Sequence, residues 1–80
     1  MAVSFSVDQR LDCKGLKCPL PVLKTKQAID KMVVGQVLEM MSTDPGVKPD
    51  MAAFSKRTGH EILEMKQEAD LYIFYIKKTK

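Results

Sequence analysis

Tryptophan is absent from this chain of 80 residues, and histidine occurs once, as His60. A single histidine and two cysteines, Cys13 and Cys18, are too few ligands for a structural zinc site. Glycine is sparse, with 4 residues, and none of them forms a phosphate-cradling loop. No metal or other cofactor is therefore expected. No apolar run approaches the ~18 residues that a membrane span requires. The opening Met1-Ala2-Val3-Ser4-Phe5-Ser6 has neither a basic region nor a long apolar core, so it does not read as a signal peptide. A reduced, cytoplasmic setting is the expectation. A concentrated basic stripe is missing too. The net charge of +3 comes from cations scattered among acids, apart from the tail Lys77-Lys78-Thr79-Lys80. Stable nucleic-acid binding is not expected from that pattern.

What is present reads as one domain over residues 1–80, near the lower limit for a self-sufficient core. Residues 3–11 open with alternation, Val3, Phe5 and Val7 against Ser4, Ser6 and Asp8, which predicts a first strand continuing to Asp12. From Pro19 the period changes. Val22, Thr25, Ile29 and Met32, with Val33 alongside, recur at helical spacing until Gly35. Residues 37–42 suit a buried strand, and Asp44-Pro45-Gly46 is turn chemistry. Val47, Met51, Phe54 and Thr58 predict a second helix with Gly59 just beyond it. Pro49 is tolerated only in a first turn, so the regular part could begin after Asp44 or later. Residues 62–67 and 71–77, separated by Glu68-Ala69-Asp70, predict a hairpin whose second strand is apolar on both faces and hence central. The order is βαβαββ. A right-handed crossover makes the first two strands parallel. The fold class is α+β: a two-layer sandwich with two helices on one face of a mixed four-stranded sheet.

The chemistry points to Cys18. In Cys18-Pro19-Leu20-Pro21, proline at the first helical position puts Cys18 at the N-cap, and Pro21 removes a further donor. The amides of Leu20 and Val22 and the helix dipole are then left to stabilise an anion. A free cysteine of pKa about 8.5 is only a few per cent thiolate at pH 7. A helix terminus worth about 1–2 kcal/mol lowers that value by roughly one unit. Lys14 and Lys17 add a solvated contribution, and together with Lys24 they are candidate partner contacts. The thiol that results is ionised enough to attack and still strongly nucleophilic. His60 is far along the chain, so a Cys-His pair is not supported. A lone activated thiol with no base suggests a group carrier rather than a complete enzyme.

Cys13, five residues earlier, is either a packed residue at the end of the first strand or a resolving thiol. Parallel pairing should bring the Cys18 loop beside Ser42-Thr43-Asp44-Pro45-Gly46, at the sheet edge where α/β sites form. There Asp44 reads as a helix cap rather than a catalytic acid. Two other classes remain open. One is a regulatory or RNA-binding module, suggested by the basic tail; the other is a Cys13/Cys18 redox switch.

The run Leu11-Asp12-Cys13-Lys14-Gly15-Leu16-Lys17-Cys18-Pro19-Leu20-Pro21 resembles the signature of the TusA/SirA family of small sulfur carriers. The likeness continues through Asp44-Pro45, Gly59-His60-Glu61 and the closing hairpin. It implies the βαβαββ sandwich and a persulfide on Cys18. It also implies a cysteine desulfurase or rhodanese as sulfur donor and a DsrE-type relay protein as acceptor. The routes implied are tRNA 2-thiolation, molybdenum-cofactor supply or dissimilatory sulfur metabolism. Cys13 stands where many members carry another residue, and the resemblance assigns it no role.

Overall fold

The computed structural model describes residues 7–17 and 20–80. Its elements are β1 (Gln9–Cys13), α1 (Leu20–Asp30), β2 (Val37–Ser42), α2 (Val47–Thr58), β3 (Glu61–Glu68) and β4 (Leu71–Lys77). This is the expected βαβαββ order. The strands lie β1-β2-β4-β3. β1 is parallel to β2, and β4 is antiparallel to both β2 and β3. β4 is central, as its two-sided apolar run demands, and Tyr72, Phe74, Tyr75 and Ile76 are all buried.

Alternation along the inner strands sets the core. Leu38 and Met40 of β2 stand opposite Ile76 and Phe74 of β4. They join Ile29 and Met32 with Val47, Met51 and Phe54 of α2 in one buried cluster. Full burial of each large side chain contributes roughly 1.5–3 kcal/mol. Thr25 sits on the same helix face, fully buried. Its hydroxyl donates to the Pro21 carbonyl one turn back, at 2.7 Å, so no polar atom is left unpaired.

The sequence reading needs adjustment at several boundaries. Residues 3–6 of the expected first strand lie outside the described residues. Val7 and Asp8 are not in the sheet ladder, and β1 instead reaches Cys13. α1 ends at Asp30 rather than running on to Gly35. Its exit tightens through Lys31 N–H to the Ala28 carbonyl and Met32 N–H to the Ile29 carbonyl. Met32 therefore still turns inward, whereas Val33 and Val34 are exposed at 64% and 61%. α2 begins directly at Val47, and Pro49 falls within its first turn, where its missing N–H costs nothing. Gly59 ends it as expected, left-handed at φ 84°.

The basic tail has a structural use. Lys78 pairs through its backbone with Gly35 and Gln36. Its ammonium donates to the Met32 carbonyl at 2.7 Å, beside the C-terminal end of α1, where a cation is favoured.

Candidate functional site

Because β1 and β2 are parallel, their C-terminal residues Cys13 and Ser42 are register partners. The chains leaving them form two adjacent loops. In the first, Leu16 N–H donates to the Cys13 carbonyl at 3.2 Å, closing a turn. Its third position requires positive φ, and Gly15 supplies it at φ 82°. Lys14 N–H is held by Asp12 Oδ1 at 2.9 Å. In the second, Asp44 N–H donates to Ser42 Oγ at 3.2 Å, and Asp44 Oδ1 accepts from Gly46 N–H at 3.0 Å. Asp44 thus closes the turn leading into α2. It is not the helix cap expected: Gly46 occupies the N-cap position, with no side-chain cap hydrogen bond, and the Asp44 carboxylate is spent on the Gly46 amide one turn too early.

A hydrogen bond joins the two loops: Gly15 N–H donates to Thr43 Oγ1 at 3.0 Å. Between them lies a cleft of about 270 Å³, lined by Gly15, Leu16, Lys17, Thr43, Asp44 and Pro45. Thr43 was not singled out in the sequence. Parallel pairing predicts that the loops meet, but periodicity carries no information on which loop atoms bond.

Cys18 and Pro19 lie outside the described residues. The chain approaches them at exposed Lys17 and resumes at exposed Leu20, the first residue of α1. Two details differ from the expectation for this junction. Leu20 N–H is not available to an anion, because it donates to the Lys17 carbonyl at 2.9 Å. Pro21, expected at an exposed junction, is buried at the second position of the helix.

Cys13 is fully buried within the apolar cluster and is a free thiol. Burial pushes its pKa above the ordinary value, with Lys24 opposing the shift and Asp12 adding to it. Cys13 is therefore a protonated, packed residue, in agreement with the packed reading of its position. Of the three candidate contact lysines, Lys17 lines the cleft. Lys14 sits 3.9 Å from Asp12 in a solvated pair worth little. Lys24 is exposed on α1.

His60 is excluded from this site by topology. It precedes Glu61, which pairs with Lys77, which in turn pairs with Val37 at the start of β2. The cleft lies at the other end of β2, roughly 17 Å away at the rise of a strand. Among the described residues, no group of three or more His, Cys, Asp or Glu side chains could hold a metal ion. Among the same residues, no helix is long and apolar enough to cross a membrane.

This arrangement provides a cleft of mixed polar and apolar lining, with one cation, Lys17, and one carboxylate, Asp44, against the loop that leads to a cysteine. Residues 9–78 match the family model described as sulfurtransferase TusA. The sulfur carrier protein TusA of Allochromatium vinosum is 49% identical over 72 residues, covering 90% of this chain and 95% of that one. The putative sulfur carrier protein YrkI of Bacillus subtilis is 46% identical over 71 residues, covering 89% and 95%. A crystal structure of a SirA-like protein from Desulfitobacterium hafniense shares the fold, with a TM-score of 0.77 at 17% identity, covering 91% of this chain and 100% of that one.

Proposed function

The chain belongs to the TusA sulfurtransferase family, and on that premise we propose that it is a sulfur carrier whose cargo is bound as a persulfide on Cys18. The observation that carries the assignment to Cys18 is the state of the other thiol. Of the two cysteines, Cys13 is buried and held protonated, which leaves Cys18, in the Cys-Pro-Leu-Pro motif, to react.

The reaction is thiol exchange with no net redox change. The Cys18 thiolate attacks the outer sulfur of a donor persulfide. A new S–S bond forms as the donor's S–S bond breaks, and the electron pair leaves on the donor cysteine as thiolate. Delivery reverses the roles: an acceptor thiolate attacks the outer sulfur on Cys18, and Cys18 departs as thiolate. Neither step needs a general base if both thiols are ionised. The donor is a cysteine desulfurase or rhodanese, and the acceptor a DsrE-type relay protein. The sulfur goes on to tRNA 2-thiolation, molybdenum-cofactor supply or dissimilatory sulfur metabolism. Lys14, Lys17 and Lys24 are the cationic contacts for these partners, and Asp44 and Pro45 form the opposite wall of the cleft. The whole of residues 1–80 acts as one carrier domain.

Incubation with a cysteine desulfurase and cysteine, followed by mass spectrometry, tests the reading. The wild-type chain should gain one sulfur atom, mapped to Cys18, and Cys18→Ser should gain none. Sulfur appearing equally on both would overturn it.

A further inference from the structure

We propose that the turn after α1 is a membrane-surface contact, through which Val33 and Val34, flanked by Lys31, Lys78 and Lys80, dip into the headgroup region of an anionic phospholipid bilayer. The inference is independent of the carrier reading and concerns the end of the sheet away from the cleft.

The two valines have no use in the packing of the fold. α1 ends at Asp30, and Met32 turns inward at 5% exposure, while Val33 and Val34 stand at 64% and 61%. Among the described residues no other large apolar side chain exceeds 49%, the value for Leu23. The turn that presents them is tied down on its inner side. Val33 N–H donates to Gln36 Oε1 at 3.1 Å, and Gln36 N–H donates back to the Val33 carbonyl at 3.1 Å. Gly35, left-handed at φ 97°, donates its N–H to the Lys78 carbonyl at 2.8 Å. The Lys78 ammonium donates to the Met32 carbonyl at 2.7 Å. A turn that enters a water-poor layer must not carry unpaired backbone groups with it, and both polar backbone groups of Val33 are already paired within the turn. Its shape is set before binding, so little ordering is required on contact.

The charge around the tip has the sign that an anionic surface attracts. Lys31 is exposed two residues before Val33, Lys78 is bonded beneath the turn, and exposed Lys80 lies over Gly59 at the exit of α2. Of the acids at this end, Asp30 is engaged by Lys26 at 3.0 Å and Asp8 holds the Val37 amide at 2.9 Å. Glu61 is the register partner of Lys77. Each basic residue at such a surface is worth roughly fivefold in partition, and shallow apolar insertion adds a second weak signal to the first. The turn has no aromatic or arginine anchor of the kind that dominates protein contacts. Two β-branched side chains need no complementary pocket in a fluid bilayer. Docked in this way, the protein turns the cleft at the opposite end of the sheet away from the lipid.

Vesicles test this on the full chain. In low salt, wild type should co-sediment with vesicles of equal parts phosphatidylglycerol and phosphatidylcholine, and not with phosphatidylcholine alone. Because both valines are exposed, Val33→Ser combined with Val34→Ser should leave the urea midpoint unchanged and weaken binding about tenfold. Lys31→Gln should weaken it about fivefold, and Lys17→Gln, at the cleft end, should not change it. The chain lacks tryptophan, so a single introduced one reports its own surroundings. On anionic vesicles Val34→Trp should shift to the blue and be quenched by brominated lipid. Gln67→Trp, exposed at the cleft end beside Tyr72, should do neither. Absence of binding to anionic vesicles would overturn the proposal, as would undiminished binding by the double serine variant or equal weakening by Lys17→Gln. A blue shift in Gln67→Trp and none in Val34→Trp would overturn it too. Valine-dependent binding to soluble poly-glutamate in place of vesicles would assign the tip to an acidic polypeptide, against the bilayer.

Discussion

The two ends of the sheet are built on different principles. At the end where β2 begins, the exits of both helices and the chain after β4 are tied together. Gly35 and Gln36 pair with Lys78, the Lys78 ammonium reaches the Met32 carbonyl, and Thr79 bonds both Gly59 and His60. Phe54 lies against His60 with ring centroids 6.1 Å apart. At the other end, two loops flank an open cleft and are joined by the Gly15–Thr43 bond, with exposed lysines around it. One end supplies cohesion and the other supplies access. A carrier must present its cargo to successive partners, so the end that opens to them cannot also be the end that closes the fold.

The largest test of this division is to remove the tie. Deleting residues 78–80 eliminates the bonds from Lys78 to Gly35, Gln36 and Met32, and those from Thr79 to Gly59 and His60. At about 0.5–1.5 kcal/mol net for each bond, and discounted for partial exposure, the expected loss is about 2–4 kcal/mol. Urea unfolding measures it. Below the transition, Cys18 alkylation in the shortened chain should match wild type. A change in thiol reactivity, with or without a loss of stability, would show that the two ends are coupled.

A smaller effect is expected from the thiol that borders the cleft but does not face it. Cys13→Ala should cost about 1 kcal/mol for one lost apolar-sized group and should leave sulfur loading at Cys18 intact. Loss of loading would restore the resolving-thiol reading and the redox switch. The variant also carries a pH signature. The folded-state pKa of Cys13 is raised above that of a free cysteine, so its burial stabilises the fold while the thiol is protonated in both states. That contribution is lost as the pH rises and the unfolded thiol ionises. Tyr75 behaves alike at higher pH. It is raised from 10.0 to about 12 by burial first, then by its hydrogen bond to Glu39. Wild type should therefore begin losing stability above pH 9, and Cys13→Ala only above about pH 10.

How much of this was legible beforehand differs between the same two ends. The element order, the central place of residues 71–77 and the left-handed Gly59 follow from periodicity and turn chemistry, which are local. The meeting of the two cleft loops followed from one topological rule, the handedness of the crossover. The tail was not legible, because four charged and polar residues gave no sign that Lys78 would satisfy the carbonyl of Met32, 46 positions away. Pro21 misled for a related reason. Its place at a helix start was readable, but which face of that first turn met the core was not. Thr43 shows the same limit. A threonine hydroxyl has many possible partners, and only the fold selects the Gly15 amide.

The smallest effect lies at the tied end and turns on protonation. His60 Nδ1 accepts from the Thr79 amide, which requires the ring nitrogen to be unprotonated. Burial lowers the pKa of His60 from its ordinary 6.5, Lys78 and Lys80 lower it further, and Asp30 opposes them. Between the folded and unfolded values, the unfolded chain binds more protons, so stability rises with pH in that interval. The stabilisation is fully present above pH 6.5 and is lost as the pH falls through the folded value. Comparing thermal midpoints at neutral and mildly acidic pH should show wild type losing more than His60→Gln, whose side chain does not titrate. Cys18 alkylation, corrected for its own pH dependence, should be the same in both proteins. Equal losses of stability would mean that carboxylates elsewhere govern the acid limb and that the His60–Thr79 bond does not sense pH. A difference confined to thiol reactivity would place the influence of His60 at the cleft, against the separation of the two ends.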